Sequence, residues 1–158
     1  MMLDPFLKSQ PPAYRHRLES CVACYWIYLR RGMLWATWGG RTQRLREEEC
    51  LLLPVGAEVD LSTSASGGYE GVSITILPPD PDAWAAAHPI LLRPSAEMGR
   101  LSRLLEVGLG GAQKRPMAYC RHLARALLEE TRFQLATPPS QTRTLGEAIV
   151  DEVEEDLR

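Results

Sequence analysis

The hydrophobic periodicity of this chain changes once, and the change falls at a run of prolines. Before residue 78, apolar residues alternate with polar ones or gather in short runs, which is strand spacing. From Ser95 onward they recur every three or four residues, which is helix spacing. Between the two lie Pro78, Pro79, Pro81, Pro89 and Pro94, which interrupt either kind of element. A chain of 158 residues ordered in this way reads as one α+β domain, strands first and helices after.

Six strand candidates precede the prolines. Val22–Leu29 is β-branched and aromatic, Arg30-Arg31-Gly32 reads as a turn, and Met33–Trp38 as the next strand. Gly39-Gly40 is a two-residue hairpin signal. Arg41–Arg46 follows, and Glu47-Glu48-Glu49 breaks it, either pairing with those arginines or standing as a solvated turn. Cys50–Leu53 is a short continuous apolar run closed by Pro54 and Gly56, and Glu58–Thr63 alternates. Val72, Ile74 and Ile76 then alternate with Ser73 and Thr75 in the cleanest period of two in the chain. Short strands at this spacing indicate an antiparallel sandwich or barrel. Residues 1–19 are polar, carry Pro5, Pro11 and Pro12, and read as an arm laid on the domain rather than a regular element.

After the prolines, Ser95 is placed to cap a helix carrying Met98, Leu101, Leu104 and Leu105, stopped by Gly108, Gly110 and Gly111. A second helix spans about Pro116 to Leu135, with Cys120, Leu123, Ala124, Leu127, Leu128, Thr131 and Leu135 on one face. Residues 20–135 thus form the domain, and 136–144 a linker. Thr144 and Glu147 make a capping box for a further helix over 145–158, striped by Leu145, Ile149, Val153 and Leu157. That last stretch sets six carboxylates against Arg158 alone, while the whole chain carries a net charge of only −2. A one-striped helix so short is marginal by itself. Its partner is expected beyond Arg158 or in another molecule.

Composition narrows the function classes. The residues before 145 are too weakly basic to grip a phosphate backbone by charge alone. No run approaches the ~18 apolar residues of a membrane helix, and no signal peptide opens the chain, so a cytoplasmic protein is expected. Cys21 and Cys24 form a lone CxxC, but residues three apart on a strand point to opposite faces. They, Cys50 and Cys120 read as small buried apolar residues. No histidine has a serine or cysteine arranged for nucleophilic catalysis, and no glycine-rich loop follows a strand to hold phosphate. No catalytic residue and no cofactor is assigned.

Trp26 to Ile76 resembles the N-terminal cupin-like sensor domain of AraC/XylS-type transcription regulators. The resemblance rests on the aromatic strand pair around Arg31-Gly32, the segment Arg46–Gly56 with its acidic turn, apolar run and Pro-x-Gly, and the closing strand Gly71–Leu77. The order that follows is also similar: a loop, two helices, a polar linker and a first helix of a helix-turn-helix region. It implies an antiparallel cupin-like barrel or sandwich followed by two packed helices, a homodimer joined through those helices, and a small-molecule or protein effector. It also implies that DNA is read only through a domain missing from this chain. The sequence departs from metal-binding cupins: Ala57, Glu58, Val59 and Asp60 follow the turn, and no histidine lies between His16 and His88. No metal site is therefore assigned.

Tyr25, Trp26, Tyr28, Trp35 and Trp38 fall within fourteen residues. If Trp26 and Tyr28 face inward, Trp35 can face them across the barrel, offering stacking surfaces, an indole N–H and a phenol O–H to a ligand. The opposite parity puts Tyr25, Ile27 and Leu29 inside, and on either parity the rings are equally able to be filler. Arg15 on the arm and Arg44 on an edge strand complete the candidate ligand set, against solvated or edge-blocking roles for the same arginines. Tyr119, Leu123 and Leu127 are the candidate dimer contacts. The expected function is an effector-sensing and dimerisation domain, not an enzyme. The competing readings are a stand-alone metal-free cupin enzyme of the sugar-isomerase kind and a pure protein-interaction module.

Overall fold

The computed structural model describes residues 1–19, 23–80, 82–84, 86 and 88–137. Nine strands precede two helices among them. The strands are β1 (Met2–Gln10), β2 (Arg15–Glu19), β3 (Cys24–Gly32), β4 (Leu34–Trp38), β5 (Arg41–Leu45), β6 (Cys50–Leu53), β7 (Glu58–Ser62), β8 (Tyr69–Leu77) and β9 (Ile90–Leu92). The helices are α1 (Ala96–Gly110) and α2 (Met117–Ala136). A five-stranded sheet runs β1-β8-β3-β6-β9 and a four-stranded sheet β2-β7-β4-β5, all neighbours antiparallel. The two sheets face each other as a sandwich, and the helix pair covers the outer face of the larger one.

Local chemistry explains most of the elements. Gly39 and Gly40 both take positive φ, 57° and 74°, as a tight hairpin between β4 and β5 requires. Ser95 caps α1, its hydroxyl accepting from the Met98 N–H at 3.2 Å. The apolar run Cys50–Leu53 is a strand buried at all four residues, because its sheet is covered on both faces. β7 alternates exposed Glu58 and Asp60 with buried Val59 and Leu61, because its sheet is covered on one face only.

Two sequence expectations are corrected. Residues 1–19 are not an irregular arm: β1 pairs with β8 over its whole length, and β2 pairs with β7. Both strands are sheet edges, where Pro5 and the charged Arg15, Arg17 and Glu19 are tolerated, since an edge strand leaves one row of backbone groups outside the ladder. Arg30-Arg31-Gly32 is not a turn either. β3 continues through it with a bulge between Leu29 and Arg31, and leaves the sheet at Gly32. That glycine has φ of 92°, and a Cβ there would lie 2.2 Å from the Gly68 carbonyl oxygen.

The linker beyond Thr137, the acidic helix expected over 145–158, and Cys21 lie outside the described residues. Cys24, Cys50 and Cys120 are free thiols in buried positions.

Candidate functional site

β3 settles where the aromatic side chains go. Ile27 and Leu29 point between the sheets and pack with Leu34, Ala36, Leu45, Leu51, Leu53, Val59 and Leu61. Cys24, Trp26 and Tyr28 point the other way, into the layer between the five-stranded sheet and the helices. This overturns a barrel lined by Trp26, Tyr28 and Trp35. Trp26 is 1% exposed, and its indole N–H donates to Thr131 Oγ1 at 3.1 Å. The Thr131 hydroxyl in turn donates to the Leu127 carbonyl at 2.7 Å. The indole is thus a bolt joining sheet to α2, with its one donor already used.

Trp35 lies on the outer face of the four-stranded sheet, where the Arg44 guanidinium sits 5.8 Å from its ring centroid. The register places Arg15, Ser62, Trp35 and Arg44 side by side on four successive strands, a row across that face that is exposed at the two arginines and half-buried at Ser62 and Trp35. Arg15 lines a shallow groove of about 430 Å³ there with His16, Thr37 and Asp60. Arg17 beside it is held by Glu58 and by Asp60 at 3.1 Å. The five candidate ligand residues therefore divide between two surfaces on opposite sides of the sandwich.

Tyr28 occupies the more enclosed setting. It is 3% exposed, its ring stacks on Trp26 at 6.0 Å and 12°, and it lines a cleft of about 470 Å³. One wall of the cleft is the β5–β6 turn, with Glu47, Glu48 and Glu49. The other is the start of α1, with Ser95, Ala96, Gly99, Arg100 and Arg103. The glutamate wall is held by hydrogen bonds to backbone groups of its own turn and of β3. Glu49 Oε1 accepts from the Arg46 N–H at 2.8 Å, and Glu47 Oε1 from the Gly32 N–H at 3.3 Å. Between them Glu48 takes φ of 65°, and its N–H donates to the Leu29 carbonyl. Burial, followed by the Glu48 charge, pushes the Tyr28 phenol up to about 12, with Arg103 acting in the opposite sense. Tyr28 is a neutral hydroxyl at physiological pH. Its oxygen has no hydrogen-bond partner among the described residues.

The cleft is also tied to α2. Gln134 Nε2 donates to the Arg93 carbonyl at 2.7 Å, while its Oε1 accepts from the Ser95 N–H at 2.8 Å. One α2 side chain clasps both sides of Pro94, at the lip of the cleft. Nothing in the spacing of Tyr28, Glu48 and Arg103 announced this site, because their convergence depends on how the helices lie over the sheet. The one local hint was the acidic triplet Glu47-Glu48-Glu49 after β5.

A second cleft of about 450 Å³ flanks α1, with Leu7, Lys8, Arg30 and Glu106 among its walls. Arg30 pairs with Glu106 there; burial holds the Glu106 carboxyl above its ordinary value and the Lys8 ammonium below its own. In the sandwich interior, the Tyr69 hydroxyl is buried without a partner among the described residues.

The three dimer candidates on α2 separate as well. Tyr119 is exposed, with the Arg115 guanidinium 5.3 Å from its ring. Leu123 is half-buried against the helix–sheet core. Leu127 is 0% exposed and packs inside that core, so its assignment to a dimer seam is overturned: it has no surface left to offer. Phe133, not singled out from the sequence, is 71% exposed on the same helix, fourteen residues on from Tyr119.

No protein-family model matches the sequence, and no curated protein matches it. Among solved structures the chain is similar to ToxT from Vibrio cholerae, with TM-score 0.54 and 7% identity over 86% of this chain and 58% of that one. A ToxT structure from strain SCE256 with a bound unsaturated fatty acid matches with TM-score 0.50 and 8% identity, over 78% of this chain and 50% of that one. The Cupin_2 domain of an XRE-family transcriptional regulator from Enterobacter cloacae matches with TM-score 0.43 and 14% identity, over 48% of this chain and 82% of that one. This chain spans between half and three fifths of the ToxT chains it matches. What the two ToxT likenesses establish is the architecture alone, a cupin-like antiparallel sandwich followed by two packed helices.

Proposed function

We propose that this chain is the ligand-sensing and dimerisation domain of a bacterial AraC-type transcription regulator, and not an enzyme. The observation that carries the reading is the Gln134 clasp. A side chain of α2 is bonded on both sides of Pro94, so a ligand that moves the cleft wall moves the helix whose outer face is free to meet a partner. The shared architecture with ToxT, an AraC-family regulator that binds a fatty acid in one of its structures, supports it. On this reading the effector is a small molecule or a regulatory protein, and two chains associate through the exposed residues of α2. DNA contact belongs to a separate helix-turn-helix region. No helix among the described residues is long and apolar enough to cross a membrane.

The physical requirement is that the effector bind one arrangement of α2 more tightly than the other. Sedimentation equilibrium of the purified chain tests the dimer. Self-association is expected, weakened at least about tenfold by Tyr119→Glu or Phe133→Glu, since a charge is then forced into a closing interface. A monomer at every concentration, with both variants indistinguishable from it, rejects the reading. A second reading has one observation in its favour: the sandwich interior is filled by its own side chains, all aliphatic apart from Tyr69 among the fully buried ones, as a protein-interaction module would have it.

A further inference from the structure

We propose that the Tyr28 cleft recognises a small zwitterion, a molecule carrying a carboxylate and an ammonium a few bonds apart. Three features of the cleft converge on that chemistry. The first is the phenol. Tyr28 is 97% buried by its neighbours and held rigid by its stack on Trp26, yet its hydroxyl has no protein partner among the described residues and belongs to the cleft lining. The hydroxyl opens on the cleft, so an apolar guest would strip it of water without replacing that hydrogen bond, and a polar guest is favoured.

The second feature is a pair of opposite charges held apart. Glu48 and Arg103 both act on Tyr28, one from each wall. Neither makes an ion pair with the other or with any described residue, whereas the neighbouring charges are engaged: Glu47 and Glu49 accept from backbone N–H groups, and Arg100 pairs with Glu97 at 3.0 Å. An anion alone would meet the glutamate wall, and a cation alone would meet Arg103. A zwitterion satisfies both, its ammonium toward Glu48 and its carboxylate toward Arg103.

The third feature is α1 itself. Its first residue, Ala96, lines the cleft, and the N–H groups of a helix's first turn favour a carboxylate. Arg103 reaches back over that turn, its Nη1 3.6 Å from where a Cβ at position 99 would lie, which is ordinary contact distance. Seven of the twelve lining residues are arginine or glutamate, and their aliphatic stems add apolar surface to that of Pro94 and Ala96. Such walls suit a compact guest with charged ends joined by a short apolar spacer.

The inference deepens the sensing reading and rests on it only for the purpose of binding. Isothermal titration of the purified chain with glycine, 4-aminobutyrate and 6-aminohexanoate tests it, with hexanoate and hexylammonium as single-charge controls. One member of the zwitterion series is expected to bind at least about tenfold more tightly than either control. Arg103→Gln and Glu48→Gln, both at exposed positions, should each abolish that advantage, and Tyr28→Phe should weaken binding about threefold or more while thermal unfolding shows an intact fold. No binding across the series, equal binding of a control, or full binding by Arg103→Gln overturns the proposal. Sedimentation with the best zwitterion separates the two ideas: binding with an unchanged dimer constant rejects sensing and leaves recognition standing.

Discussion

The two sheets of this sandwich share a strand chemistry and differ in what covers them. The five-stranded sheet is buried on both faces, by the opposing sheet and by the helices; the four-stranded sheet is buried on one. Trp26 and Trp35 show the consequence. Both are tryptophans in consecutive strands of an aromatic-rich segment, yet Trp26 is sealed under α2 with its N–H bonded, and Trp35 lies on the open face beside an arginine. An identical ring becomes a structural bolt in one place and a surface feature in the other. The lesson is that a second covering layer, more than residue type, decides whether an aromatic strand carries stability or is left available for recognition.

The largest expected effect breaks or upholds that contrast directly. Trp26→Ala should cost about 3–5 kcal/mol in equilibrium denaturation, because a buried ring is lost and a cavity left behind. Trp35→Ala should cost under about 1 kcal/mol, as surface substitutions do. Equal losses would show that the open face is as closely packed as the covered one. Next, Thr131→Val keeps the shape of the side chain but removes the acceptor for Trp26 and should cost about 1–3 kcal/mol; a neutral result would mean that the bolt holds by packing alone.

The Tyr28 phenol supplies a test by pH. Its value in the folded chain is raised to about 12, above the ordinary value of 10.0, so the fold favours the protonated form. That stabilisation is complete below about pH 10 and is lost as pH rises toward about 12, on the order of 1–2 kcal/mol for this group. Comparing denaturation curves at pH 9 and pH 11.5 should show a smaller fall for Tyr28→Phe than for the parent, and equal falls would place the phenol in water. The smallest effect has the opposite sign. Tyr69→Phe removes the orphan hydroxyl between the sheets and should stabilise by about 1 kcal/mol. A loss instead would show that the hydroxyl is satisfied.

Much of the fold was legible in local chemistry. Gly39-Gly40 marked a hairpin through its backbone freedom, Ser95 a helix start, and the change of period at the prolines the boundary between sheets and helices. The strands that went unread were β1, β2 and β9, and all three are sheet edges. An edge strand needs only one neighbour and accepts Pro5 or Arg15, so it lacks the pattern that betrays a central strand. The candidate site was far less legible. Arg15, Trp35 and Arg44 do share one surface, but Trp26 and Tyr28 lie on another, and Leu127 belongs to the core.

Composition and periodicity were sufficient for the class: an antiparallel sandwich, then two amphipathic helices, the central strands and the helices following from turn residues and spacing that act within a few positions of one another. They were insufficient for the facing of β3. In a strand covered on both sides Trp26 and Ile27 are both buried, so period two carries no sign of which is inside. That choice was made by the helices, whose Thr131 accepts the Trp26 N–H and whose first turn closes over Tyr28. Residues 28, 48 and 103 have no local reason to meet. They meet because packing α1 and α2 on the sheet buries the apolar stripe of each helix, and the cleft is where that covering layer ends.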